Sequence, residues 1–203
     1  MKRSIRMGKR IEGILISCLL FVFLTGCSGE VQLCEGTNLQ LDADGGVTVT
    51  YIEEFPSDYY DVAELEAMNA EEVAEYNSIV GEEAVTVVST VTDGSKITLT
   101  MHFSDMEDYG NMNGVPVYSG TVSQAIAMGY DMNKSFTDAK TGEKITDINW
   151  EELGASHVII VNEAVSVYPY RKIEMVTDNV TVSEDRKMAT VTSDETQAVI
   201  VFK

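Results

Sequence analysis

From Val62 to Val80 the residues Val62, Leu65, Met68, Val73, Tyr76 and Val80 recur at helical spacing, whereas the segments on either side alternate as strands do. Asp61 and Glu64 are placed as a capping box before this stretch, and Gly81 is placed as its stop. One well-defined long helix among strands, without regular βαβ alternation, argues for an α+β fold. The expected architecture lays the helix across one face of a mostly antiparallel sheet.

The strands follow from period and turn chemistry. Leu39 and Leu41 alternate with polar neighbours, Asp44-Gly45-Gly46 supplies a turn, and Val47, Val49 and Tyr51 alternate with Thr48 and Thr50, which is a hairpin signal. Residues 84–91 and 96–103 are rich in Val, Thr and Ile and are joined at Asp93-Gly94, a second hairpin. Thr121 with Gln124 predicts a short capped helix through Met128 ending at Gly129, and Asn149 with Glu152 predicts another through Leu153 ending at Gly154. Residues 158–161, 165–168, 172–176, 188–192 and 198–202 are predicted strands. Asp178-Asn179 and Ser183-Glu184-Asp185 lie between them as turns, giving a C-terminal β-meander. The Gly- and Asn-rich stretch from Gly110 to Gly114 is a possible division point, but a single domain over residues 37–203 is the economical expectation.

The N-terminus carries a basic head, Lys2, Arg3, Arg6, Lys9 and Arg10, followed by an uncharged apolar run from Gly13 to Leu24. That run is shorter than the ~20 residues a membrane-spanning helix needs, so a signal peptide is favoured over a permanent anchor. Leu24-Thr25-Gly26-Cys27 closes it, and the ordered set resembles a bacterial lipoprotein signal with its lipobox. The resemblance covers residues 1–27. It implies a signal peptide over 1–26, a diacylglyceryl thioether on Cys27, a short spacer through residue 36, and attachment to the extracytoplasmic face of the cell membrane. Only a thiolate is nucleophilic enough to take the lipid, and two acyl chains anchor far more tightly than one. The bland alternative is an ordinary signal cut elsewhere or an uncleaved anchor.

Loss of residues 1–26 removes five of 14 basic residues and one of 33 acidic ones, Glu12, leaving 9 basic against 32 acidic residues and a formal charge of −23. Such a field disfavours nucleic acid, whose phosphates are bound by clustered Lys and Arg. It also repels an anionic membrane surface or wall polymer, so the body stands off its tether. Solubility explains the charge adequately; a basic protein or a cationic envelope component is the sharper alternative. After Cys18 leaves and Cys27 is lipidated, Cys34 is the remaining thiol, so the 177-residue mature chain must fold on its core without an intramolecular disulfide. Cys34 reads as a bystander, with a reactive or dimer-forming thiol as the alternative.

Chemistry-bearing patterns are sparse. The histidines, His102 and His157, each fall inside a predicted strand without a second ligand at useful spacing, and no Gly-x-Ser-x-Gly elbow is present. Asp42, Asp44 and Glu53 occupy the first, third and twelfth places of an EF-hand loop, but Val47 stands where its turn glycine belongs. Asp131, Asn133 and Ser135 begin a similar loop that ends on Gly142. Both are rejected, and no metal or cofactor is expected. The candidate ligand-binding set is Tyr51, Glu53, Glu54, Asp58, Tyr59 and Tyr60, an acidic and aromatic mixture of the kind that grips sugars. Asp61 belongs to the same cluster but is assigned to the cap.

The run Glu54-Phe55-Pro56-Ser57-Asp58-Tyr59-Tyr60-Asp61, with an acidic helix ending Glu75-Tyr76-Asn77, resembles segments of small uncharacterised lipoproteins of Gram-positive bacteria, a resemblance that implies no activity. The leading expectation is therefore a non-enzymatic, membrane-anchored surface lipoprotein that binds a partner or serves the envelope. A small extracellular hydrolase of sugars or peptides is the alternative.

Overall fold

A computed structural model describes residues 33–55, 61–81 and 83–203. Among them are 13 strands in two largely antiparallel sheets and three helices. The first hairpin is β1 (Gly36–Leu41) with β2 (Val47–Glu54), followed by α1 (Val62–Val80) and a second hairpin, β3 (Val85–Asp93) with β4 (Lys96–Phe103). Then come α2 (Met106–Asn113), β5 (Val117–Thr121), α3 (Val122–Ala127), β6 (Phe136–Asp138) and β7 (Lys144–Ile145). The remaining strands are β8 (His157–Val161), β9 (Ser166–Tyr168), β10 (Ile173–Thr177), β11 (Val180–Val182), β12 (Ala189–Val191) and β13 (Ala198–Phe202).

One sheet runs β11-β12-β9-β1-β2-β4-β3 and the other β5-β8-β13-β10-β6-β7. All pairings are antiparallel except β1 with β9, where Leu39 faces Val167. A shared core joins inward residues of the first sheet, such as Leu39, Val49, Met101 and Phe103, to Ile159, Val161, Ile200 and Phe202 of the second. Val158, Ile160, Val199 and Val201, on the opposite face of β8 and β13, enter a second core with Val122, Ala125 and Phe136. Burial on both faces explains why β8 and β13 are continuous apolar runs rather than alternating ones.

The C-terminal third is a meander only in part. β11 and β12 form a hairpin, but β8, β10 and β13 join one sheet while β9, β11 and β12 join the other, so the chain repeatedly crosses the core. The predicted helix beginning at Asn149 is instead a run of turns. The Asn149 side chain accepts from Glu151 N and Glu152 N, and a single α-turn from Leu153 N to Asn149 O tightens at once into Gly154 N to Glu151 O. The stretch from Gly110 to Gly114 belongs to α2 and its cap, not to a linker. A Cβ at Gly110 would lie 2.7 Å from Val117 Cγ2 and 3.0 Å from the Val115 carbonyl, so glycine there permits close packing of the helix on β5.

Asp61 caps α1 by accepting from Ala63 N, but the expected capping box with Glu64 does not form: Asp61 bonds the second amide of the helix, not the third, and Glu64 stays exposed. Gly81 ends the helix in the left-handed conformation at φ 83°. Thr121 and Gln124 form a reciprocal capping box on α3. Helix α1 packs lightly, with Asn69 as its buried residue and Glu64, Glu66, Glu71, Glu72 and Glu75 exposed. Its C-terminal end is fixed more firmly. Asn77 Nδ2 donates to the Val85 carbonyl at 2.8 Å, Val85 N donates to Asn77 Oδ1 at 2.9 Å, and Tyr76 Oη donates to Asp108 at 2.8 Å. Burial, reinforced by the Asp108 carboxylate, pushes the Tyr76 hydroxyl up to about 12.

Candidate functional site

Alternation in the first hairpins builds one wall of a cleft. Thr37 faces Tyr51, Tyr51 faces Leu99, Glu53 faces Ile97 and Val49 faces Met101, so Thr37, Tyr51, Glu53, Leu99 and Met101 share the inner face of the sheet. Towards Glu53 this face leaves the shared core and passes beneath α1 and α2. There it lines a cavity of about 660 Å³, closed by Asn69 and Glu72 of α1, by Tyr109, Asn111, Met112 and Asn113 of α2, and by Glu163 from the β8–β9 crossover.

The polar groups of this cleft are unevenly satisfied. Tyr51 Oη donates to Asn113 Oδ1 at 3.3 Å, and Tyr109 Oη donates to Glu163 Oε1 at 2.8 Å. Burial raises both tyrosine hydroxyls above their ordinary value, and the Glu163 charge adds to the shift. Burial likewise raises the Glu163 carboxyl, against the opposing hydrogen bond from Tyr109. Asn69 is 7% exposed, and its Nδ2, shielded from solvent, has no hydrogen-bond partner among the described residues. A buried amide donor left unpaired costs about 1–3 kcal/mol. No Lys, Arg or His is among the described residues that line the cleft, so Glu53, Glu72 and Glu163 have no cation beside them there.

The candidate set from sequence divides. Tyr51 and Glu53 lie in the cleft, while Glu54 points from the opposite face of β2, where Ser95 donates to it at 2.9 Å and Lys96 lies 3.8 Å away. Lys96 also pairs with Glu35. Asp58, Tyr59, Tyr60 and the proposed attachment residue Cys27 lie outside the described residues. Asn69, Tyr109 and Glu163 were not among the expected site residues. Asn69 had a readable signal, because it stands seven residues after Val62 and four before Val73, on the apolar stripe itself. Glu163, in a short connection between apolar runs, had none.

A larger concavity of about 830 Å³ runs between the β1–β2 turn, the start of α2, and the Tyr118, His157 and Tyr170 side chains. Three of its polar groups already serve the fold: Asp44 accepts from Gly46 N, Asp105 from Asp108 N, and Gln124 completes the α3 cap. His157 stacks on Phe202 with ring centroids 5.5 Å apart, and burial, with Arg171 nearby, lowers its pKa. The smaller cleft is the stronger candidate, because it gathers three carboxylates with no cation among the described residues that line it.

Cys34 is half-buried and held in the body. Its N–H donates to Asn38 Oδ1 at 2.9 Å, and Tyr168 Oη lies 3.9 Å from its sulfur. Asp42 and Asp44 sit at the β1–β2 turn, and Asp131 accepts from Asn133 N. Among the described residues no three His, Cys, Asp or Glu side chains converge as metal ligands, and no helix is long and apolar enough to cross a membrane. No family model, curated protein or solved structure matches the chain.

Proposed function

We propose that this chain is a lipid-anchored extracytoplasmic protein, attached through Cys27, whose body binds a small polar ligand in the cleft under α1. The anchoring part rests on the basic head, short apolar run and lipobox. The binding part rests chiefly on one observation: a cavity of about 660 Å³ gathers Tyr51, Tyr109 and the carboxylates of Glu53, Glu72 and Glu163, with no Lys, Arg or His among the described residues that line it. Concave sites lined by aromatic side chains and a few polar groups are where small ligands bind. Aromatic and thioether side chains, Tyr51, Phe103, Tyr109, Met101 and Met112, supply the apolar surface, and amides and carboxylates supply direction.

Native mass spectrometry of the full-length chain in detergent, after incubation with a small-molecule extract of bacterial envelopes, tests the binding part. A discrete adduct that disappears in Glu53→Gln, an exposed position on the cleft wall, supports it, and an adduct-free spectrum counts against it. Turnover of the bound compound, lost in Glu163→Gln, would favour the hydrolase, for which a desolvated carboxyl in the same cavity as two others is the relevant feature.

A further inference from the structure

We infer that the outer edge of β3 docks an extended segment of another protein: a strand with an uncharged, β-branched centre and Lys or Arg at its ends. The surface is separate from the cleft under α1, which no described residue of β3 lines.

β3 ends the seven-stranded sheet, so among the described residues no strand pairs with its outer side. Gly94-Ser95 is a two-residue turn, which makes Asp93 and Lys96 a hydrogen-bonded pair. Alternation then turns the backbone N–H and C=O of Thr90 and Thr92 outwards, away from β4. At the other end of the strand the outward groups of Val85 are taken by Asn77, and a bulge between Val87 and Ser89 separates that closed end from the open one. Edge strands are commonly blunted by Lys, by Pro or by a covering helix. β3 contains neither residue, and α1 leaves Val88 and Val91 60% and 56% exposed. Outward main-chain donors and acceptors at strand spacing are matched by another extended backbone. The exposed side chains of Val87, Val88 and Val91, with Ile79 and Val80 at the end of α1, suit β-branched side chains on it.

Charge selects among strands. From residue 11 to residue 95 the sequence holds no Lys or Arg. Exposed Glu83 and Asp93 bracket β3, whose residues between Val85 and Thr92 are uncharged, and α1 beside it exposes Glu71, Glu72 and Glu75. Lys96, opposite Asp93, is already paired with Glu35. An antiparallel second copy would set the acidic ends of the two strands against each other, and each mature chain carries a formal charge of −23. A partner strand with basic ends meets the bracket with opposite charge and the centre with none.

Fluorescence anisotropy on the full-length chain in detergent tests this with two labelled peptides, acetyl-Lys-Thr-Val-Thr-Val-Thr-Lys-amide and the same sequence with Glu at both ends. The Lys-ended peptide is expected to bind at least about tenfold more tightly, with an affinity that falls as salt is raised. Thr90→Pro removes an outward N–H that β4 does not use, so the hairpin tolerates it while the docking edge is broken. Val91→Lys, at an exposed position, is a second variant that places a cation on the edge. Each is expected to weaken the Lys-ended peptide at least about tenfold, with denaturant unfolding showing that the variant is folded. Undiminished binding by both folded variants, equal binding of the Glu-ended peptide, or no binding of either peptide overturns the proposal. A dimer of the chain alone, seen by native mass spectrometry and dispersed by Thr90→Pro, also overturns it by making a second copy the occupant.

Discussion

The Tyr109 hydroxyl donates to Glu163 Oε1 at 2.8 Å, tying α2 to the β8–β9 crossover at the cleft. The two residues are 54 positions apart, and each is shifted in the same direction by burial: the phenol and the carboxyl both hold their protons more firmly than in water.

Glu163→Gln should reveal that shift as a pH dependence of stability. Because the folded-state pKa of Glu163 lies above its ordinary 4.5, the folded chain keeps a proton that the unfolded chain has lost. Ionised Glu163 therefore costs stability at neutral pH, and the cost is relieved as pH falls through the folded value towards 4.5. His157 acts oppositely: its lowered pKa means stability is lost as pH falls from 6.5 through its folded value. Comparing wild type with Glu163→Gln cancels the His157 contribution. Urea denaturation should show the variant more stable at neutral pH and the gap closing as the solution is acidified towards 4.5. A gap independent of pH would contradict the assignment.

Gly110→Ala should destabilise the fold by about 1–3 kcal/mol, the usual cost of overpacking. The added Cβ would meet Val117 Cγ2 at 2.7 Å and the Val115 carbonyl at 3.0 Å, and the backbone contact has little room to give. Denaturant unfolding measures this directly, and an Ala variant as stable as wild type would show that α2 does not pack on β5 so closely.

Asn77→Ala should release α1 from the sheet. Its amide bonds both the N–H and the C=O of Val85, so its loss leaves two backbone groups unpaired, at about 1–3 kcal/mol for each that water cannot reach. Hydrogen exchange should quicken in the last turns of α1 and at the start of β3. Unchanged protection there would mean that the apolar contacts of Val73 and Tyr76 hold the helix by themselves.

Cys27→Ala should abolish fatty-acid labelling of the chain expressed in a bacterium and release or stall the precursor. Labelling that persists in the variant would remove the basis for lipid anchoring through this residue.

Local patterns were readable where one segment decides its own structure. Asp61 and Gly81 bracket α1, Thr121 and Gln124 cap α3, and Asp44-Gly45-Gly46 turns the first hairpin. Asn149 misled because a good cap cannot make a helix when the turns after it tighten towards Gly154. Helix α2 was hidden by Gly110, Asn111 and Asn113, poor helix formers whose cost is met by tertiary packing. The assignment of β8 to β13 between two sheets could not be read from single strands, because a run buried on both faces carries no period to say which sheet it joins. The cleft was half legible: Tyr51 and Glu53 follow from alternation, but Glu163 reaches them only through a crossover between sheets.

The most direct test of the binding role is native mass spectrometry on wild type beside Glu53→Gln and Glu163→Gln, two carboxylates that line the cleft from different elements. Denaturant unfolding on the same preparations shows that each variant is folded. The account predicts an adduct on wild type that both folded variants retain far less. Folded variants that keep the adduct undiminished would contradict the claim that the cleft under α1 is the binding site.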